Sequence, residues 1–440
     1  MAIQQQGNYS LYYDCDRPFV HKFICSNSDT VNLVYILQVE HPVTNAWSTV
    51  TGHIKQPIEW GAPYFLIDPS QLCTDFVRWE IAQNLGAWNN TTNIFYGENH
   101  RIKCRFKLTE DIIDPVTGAI EYNNDESTWL VGQHFYCVDG GVTHEQTFNE
   151  AQHEWFYPWY LYTHNWSGGG LGTCKFMTDQ PSTLTECYTD NKYVSFATEF
   201  ADIYLEVDLI RKDGTTHNSL QVSDAVGKKG VTQLGVGFPQ LETYLTGQGT
   251  WGTYHTVTNP IISITYRMVS GGIHYSQDYT TQLKECGCDS EYVRLWWRSN
   301  RNGVDSYTFK GTHSVRLSTS NQTFQKVLGY RRSNSEDTTD NTYQHNTFNQ
   351  QSSGAGKVNI VSRKTIKLIS NWENGEMLDW LSNIINSTNV FIEDKTSSDG
   401  LQLTPVTITS KDFQVKGLND KLGKIEINLT YSNQRTTSRT

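Results

Sequence analysis

Hydrophobic positions along this chain come in short bursts rather than long periodic stripes. Val, Ile, Thr, Tyr and Phe gather in brief runs set between Gly, Asn, Asp and Pro. Such side chains pack well on a pleated surface, so the runs predict strands. Strands are expected over 31–39, 204–210, 261–267, 314–317, 358–361, 365–369, 406–409 and 424–430. Asp213-Gly214 and Asn302-Gly303 predict tight hairpin turns, because both dipeptides tolerate positive φ. One stretch has a helical period: Met377, Leu378, Leu381, Ile384 and Ile385 fall on one face. Ser370 with Glu373 predicts a capping box ahead of it, and Asn386-Ser387-Thr388-Asn389 its end. A weaker helical stretch over 74–83 has no clear apolar face. The expected fold class is mainly β, a multidomain β-sandwich-like architecture with one amphipathic helix near the C-terminus, around 375–386.

A length of 440 residues suggests roughly two to four domains. The division expected is an N-terminal β domain (1–125), a central β domain (126–285) and a C-terminal β-rich domain carrying the helix (286–440). The polar stretches 181–192 and 334–356 read as linkers or long loops. No internal repeat of fixed period and no heptad pattern occurs.

Charge sharpens this picture. Only 18% of residues are charged, against about 25% in an ordinary domain, yet 12% are aromatic. That aromatic content excludes global disorder. A net charge of -11 argues against a basic nucleic-acid clamp. No run approaches the ~20 apolar residues of a membrane span; the nearest, 31–39, is broken by Asn32 and Gln38. The first basic residue is Arg17, so no secretory signal is expected. The nine cysteines, at 15, 25, 73, 104, 137, 174, 187, 286 and 288, are expected to be free buried thiols of a reducing compartment. Cys286 and Cys288 alone are close enough in sequence to share a metal or a strained disulfide, but no second ligand pair accompanies them.

Enzyme signatures are missing from the sequence. Gly227-Lys228-Lys229-Gly230 is a basic turn rather than a phosphate loop, and Gly168-Gly169-Gly170-Leu171-Gly172 lacks dinucleotide-fingerprint spacing. No nucleophile elbow occurs. His134, His144, His153 and His164 recur near Cys137, Asp139, Glu145 and Glu154, and read as polar rims of strands. Trp155, Trp159, Tyr160, Tyr162 and Trp166 would suit a sugar-stacking platform. No acid pair is embedded near them, so they read as core or interface. No catalytic residue, cofactor or metal ligand is therefore expected.

The most specific local feature runs from Arg294 to Phe309, Arg-Leu-Trp-Trp-Arg-Ser-Asn-Arg-Asn-Gly-Val-Asp-Ser-Tyr-Thr-Phe. It reads as strand, turn, strand. Leu295 and Trp297 are expected on one face, with Tyr307 and Phe309 on another lying opposite. Gly303 should permit the turn and Asp305 should bond its backbone. Trp296, Trp297, Gly303, Asp305, Tyr307 and Phe309 are the candidate structural residues, setting a hairpin that docks on another domain or subunit.

At this motif the chain resembles structural proteins of tailed bacteriophages of Bacteroidetes hosts, including the crAss-like phages. Their pattern is Arg-x-x-Trp-(Leu/Trp)-Asn-x-x-Gly-Gly-(Trp/Phe/Tyr)-Asp-x-(Phe/Tyr)-x-Phe, often after a cysteine-bearing turn. Arg294, Trp297, Gly303, Asp305, Tyr307 and Phe309 match it, and Cys286-Gly-Cys288 precedes them. Arg298, Ser299, Asn302 and Val304 depart from it. Stretches 135–141, 176–181, 377–385, 387–392, 405–416, 421–422 and 425–432 also resemble the group. The resemblance implies a non-enzymatic neck or tail ring or adaptor subunit, part of the DNA conduit between portal and tail. It implies a homo-oligomer: copies of itself in a ring, portal or other neck and tail proteins as partners, and no membrane. Genome DNA would pass through the lumen without specific binding, which an acidic wall would favour. The location implied is the virion, after synthesis in the host cytoplasm. The alternative expectation is a carbohydrate-binding or depolymerising tail protein, resting on the aromatic cluster at 155–166 and the scarcity of charge.

Overall fold

A computed structural model describes residues 3–6, 12–14, 21–25, 29–41, 45–57, 64–74, 76–77, 94–97, 101–138, 160–161, 176–198, 203–222, 230–285, 292–301, 303–311, 313–325, 355–394, 402–410, 422–432 and 435–437. Among these, strands dominate, and they assemble into several sheets. The fold class is mainly β, as the residue pattern implied.

In the N-terminal part, Thr30–Glu40 pairs antiparallel with Arg101–Ile113, which pairs in turn with Leu130–Val138. This sheet therefore runs past 125, the division drawn from sequence. The unbroken run Leu33–Leu37 is apolar at every position because both faces of the strand are covered. Leu33, Tyr35 and Leu37 join a core with Phe23, Phe65, Phe106 and Phe135, while Val34 and Ile36 pack on Trp129. Alternation would be seen only if one face met water.

The middle of the chain builds a six-stranded sheet in the order Thr183–Cys187, Tyr279–Lys284, Ile261–Ser270, Tyr204–Arg211, Thr216–Gln221, with the short strand Ile273–His274 paired to Ile261–Ser270. Stretch 181–192, expected to be a linker, instead supplies its first strand, and Leu184, Glu186, Asp190 and Lys192 are buried. The Asp213-Gly214 turn forms as expected, with Gly214 at φ +84° and Asp213 Oδ1 accepting from the Thr215 N–H at 2.8 Å. The helix near the C-terminus is not the sole one. Phe238–Gly247 is helical too, starts with Pro239 in its first turn, and buries Phe238, Leu241, Tyr244 and Leu245 on one face.

The C-terminal part is an eight-stranded sheet. Its main path runs Val304–Phe309, Val293–Arg298, Val390–Asp394, Gln402–Ile408, Glu426–Tyr431, Ala355–Ile369, Ser314–Gln325. The runs 358–361 and 365–369 are one strand. The expected helix spans Gly375–Ser382 and continues as a 3-10 turn, Asn383–Asn386. It packs Leu378, Leu381 and Ile384, together with Trp380, on Leu295, Trp297 and Ile427. Its cap is Asn374, whose side chain accepts from the Met377 N–H at 2.9 Å. Ser370 and Glu373 form no capping box: the Ser370 hydroxyl accepts from the Ile425 N–H, and Glu373 accepts from the Tyr307 hydroxyl. The other expected helix, 74–83, is displaced to Ser70–Thr74, and 78–83 lies outside the described residues. Most of the polar stretch 334–356 lies outside them as well.

Candidate functional site

The 294–309 motif folds as the antiparallel pair Val293–Arg298 and Val304–Phe309. Its register sets Leu295 against Tyr307, Trp297 against Asp305 and Val293 against Phe309. Residues directly opposite share a sheet face. Leu295, Trp297, Tyr307 and Phe309 therefore point into one core, correcting the expectation of opposed faces. The other face carries Arg294, Trp296, Ser306 and Thr308, and all of Val304–Phe309 is buried.

Two motif residues act differently from their expected roles. Gly303 lies outside the positive-φ region. What demands glycine is close approach: a Cβ there would sit 2.0 Å from the Met177 carbonyl oxygen. The turn is organised by Ser299, whose hydroxyl donates to the Met177 carbonyl at 2.8 Å and accepts from the Gly303 and Arg301 N–H groups. Among the described residues Asp305 bonds no backbone group of the turn. Its carboxylate accepts from the Thr178 hydroxyl and from Trp380 Nε1–H at 2.8 Å. Burial raises the Asp305 pKa to about 7, although those two donors pull it down.

The polar face of the hairpin meets the 186–192 stretch in a buried cluster of charge. Arg294 donates to the Thr308 and Ser306 hydroxyls, each at 2.7 Å. It lies 3.3 Å from Asp190, 3.6 Å from Glu186 and 3.8 Å from Glu393. Thr308 donates to Asp190 at 2.9 Å, and Lys192 pairs with Glu186 at 3.4 Å. Glu393 accepts from Trp296 Nε1–H at 2.8 Å and from the Asn191 amide at 3.1 Å. Burial opposes the charge on Arg294, but Asp190, Glu186 and Glu393 hold its pKa above the ordinary guanidinium value. Burial wins at Lys192, whose pKa is lowered despite Glu186. The cluster thus joins the six-stranded sheet to both the hairpin and Val390–Asp394.

Beside it opens a cavity of about 460 Å³, bounded by Glu186, Asp190, Arg294, Tyr307, Lys310 and Trp372. Trp372 is 64% exposed, and Lys424 Nζ lies 4.5 Å from the centre of its ring.

A second cluster was invisible in sequence. Cys73, Cys104 and Cys137 are buried with their Sγ atoms within 4.8 Å of one another, and Cys73 and Cys104 are 3.9 Å apart. Hydrogen bonds from Cys104 and Cys137 draw the Cys73 thiol down to about 5, while burial pushes Cys137 up. Three thiolates suit a soft cation, but a structural zinc site takes four ligands, and among the described residues this group has three. Cys25, Cys73, Cys104 and Cys137 are buried thiols outside any disulfide, as expected, whereas Cys187 is disulfide-bonded.

Of the histidines near 150, only His134 is described; it is exposed, on Leu130–Val138. His144, His153 and His164 lie outside the described residues, as do Trp155, Trp159, Tyr162, Trp166, Cys286 and Cys288. Tyr160 belongs to the short strand Tyr160–Leu161.

No protein-family model and no curated protein matches the sequence. Among solved structures, CBD12 from CALX1.2 is similar at 5% identity and a TM-score of 0.16, over 59% of this chain and 76% of that one. A likeness that loose carries no functional argument.

Proposed function

We propose that this chain is a structural virion protein of a tailed phage, a neck or tail ring or adaptor subunit of the DNA conduit between portal and tail. The observation that carries this reading is the fate of the motif's ionisable groups. Arg294, Asp305 and Tyr307 are buried, and each is bonded to another element of the chain. The part of the sequence richest in pattern is therefore bonded into neighbouring elements, even where Arg294 and Tyr307 also border the cavity. A net charge of -11 suits a wall along which genome DNA slides without specific binding. Copies of the chain, with portal or other neck and tail proteins, would be its partners. Light scattering on the purified full chain, with negative-stain imaging, tests this: a cyclic oligomer is expected, and a monodisperse monomer overturns it.

A second reading, a carbohydrate-binding or depolymerising tail protein, draws on the polar cavity with Trp372 at its rim. A glycan array decides it: binding that Trp372→Ala abolishes would favour this reading, and no binding would remove it.

A further inference from the structure

Cys73, Cys104 and Cys137 reach one point from three elements. Cys73 sits in the helical turn Ser70–Thr74, which follows the strand Tyr64–Ile67; Cys104 lies on Arg101–Ile113 and Cys137 on Leu130–Val138. All three side chains are wholly buried, in the core that also holds Phe65, Phe106 and Phe135. The turn carrying Cys73 is fastened locally, with the Ser70 N–H donating to Asp68 at 2.9 Å and the Cys73 N–H to the Pro69 carbonyl at 3.0 Å. The three sulfurs mark where that turn meets the sheet.

A thiophilic cation ~2.3 Å from each of three sulfurs in one plane sets those sulfurs ~4 Å apart. Cys73 Sγ and Cys104 Sγ are 3.9 Å apart, and all three lie within 4.8 Å of one another. A disulfide fits this arrangement less well. Cys104 pairs with Phe135, so Cys137 is its diagonal neighbour across the two strands. Such neighbours are ~7–8 Å apart, beyond the reach of a disulfide. Any one disulfide would also leave the third thiol over. Space filling by small apolar side chains does not require the sulfurs to meet: Cys25 lies in the same core outside the group.

We propose that Cys73, Cys104 and Cys137 bind one cuprous ion through three thiolates. Thiolate sulfur selects Cu(I), and three sulfurs complete the trigonal coordination this ion accepts, whereas a structural zinc would need a fourth donor. On binding, three S–H bonds break, three Cu–S bonds form and three protons pass to solvent; copper stays Cu(I). The centre then carries a charge of about -2, a cost in a dry core that the metal–sulfur bonds must exceed. With the sulfurs sealed from solvent, the ion enters only as the 70–74 turn docks, so binding and docking are one event. The ion would clip that turn to the sheet, however copies of the chain assemble.

The test uses the full-length chain, purified anaerobically and titrated with Cu(I) against a competing cuprous chelator. The wild type is compared with Cys73→Ala, Cys104→Ala and Cys25→Ala. The remaining cysteines are the same in all, so differences isolate the centre. Loss of Cys73 or Cys104 should remove one equivalent of chelator-resistant copper, weakening it by at least ~100-fold, and Cys25→Ala should keep it. X-ray absorption of the loaded wild type should find three sulfurs at ~2.3 Å, a readout that stands even where a variant fails to fold. Copper should also raise the denaturant midpoint of the wild type. Equal copper in the wild type and Cys104→Ala overturns the site. A Cys73–Cys104 disulfide in protein alkylated straight from cells overturns it too. Zinc held more tightly than Cu(I), with a tetrahedral cobalt(II) spectrum on substitution, overturns the cuprous assignment.

Discussion

The hairpin at 293–309 and the ribbon at 314–369 are built alike and lie at opposite ends of the same eight-stranded sheet. Each is an antiparallel strand pair, and each alternates apolar and polar side chains. One is buried on both faces; the outer strand of the other is exposed from Ser314 to Ser320. Local pattern does not distinguish them, because the difference lies in what reaches them from elsewhere. The hairpin's outer edge is met by Ser195, whose hydroxyl accepts from the Val304 N–H at 3.0 Å, and by the Thr178–Asp305 hydrogen bond. Nothing comparable covers the outer strand of the ribbon among the described residues. A sheet edge thus becomes core or stays exposed according to long-range partners, not strand propensity.

The strongest way to break the contrast is Arg294→Ala. It leaves Asp190, Glu186 and Glu393 facing one another with Lys192 and Lys310 as the neighbouring cations, and should cost about 3–5 kcal/mol in chemical denaturation. Arg294→Lys should recover only part of this, since one ammonium cannot reach Ser306 and Thr308 as the planar guanidinium does. Gly303→Ala should follow at about 1–3 kcal/mol, from the clash with Met177 rather than from φ; a neutral result would show that the 176–178 backbone yields.

A smaller effect is expected from pH. The Asp305 pKa is raised in the fold to about 7 from a reference of 3.8, so the native state keeps a proton the unfolded chain releases. Its contribution is complete below the unfolded pKa and is lost as pH rises through about 7. Denaturant midpoints between pH 4 and 8 should therefore slope less in Asp305→Asn than in the wild type. The smallest effect belongs to the ribbon: Leu317→Ser should change stability by less than ~0.5 kcal/mol, against about 2–5 kcal/mol for Leu295→Ala in the core.

Much of the β architecture was legible because β-branched and aromatic runs coincide with strands, as at Thr30–Glu40 and Ile261–Ser270. The helix at Gly375–Ser382 was legible from its apolar spacing. The Phe238–Gly247 helix was not, since its apolar face is confined to ten residues. The candidate site was half legible. Its aromatic side stands out in sequence, but Glu186, Asp190 and Lys192 look like solvated loop until Arg294, more than a hundred positions on, is brought against them. The three thiols were hidden for the same reason: one helix and two strands supply them, and no short spacing marks their meeting.

The placement of Val390–Asp394 beside Val293–Arg298 sets an order of events. The motif hairpin, complete at Phe309, finds its inner neighbour only after some eighty further residues have left the ribosome, and Glu393 arrives with them. Until then Trp296 and Trp297 have an unfinished sheet beside them. Such distant closure slows folding and leaves sticky surface waiting. A chain truncated before 390 should consequently aggregate rather than yield a smaller soluble domain.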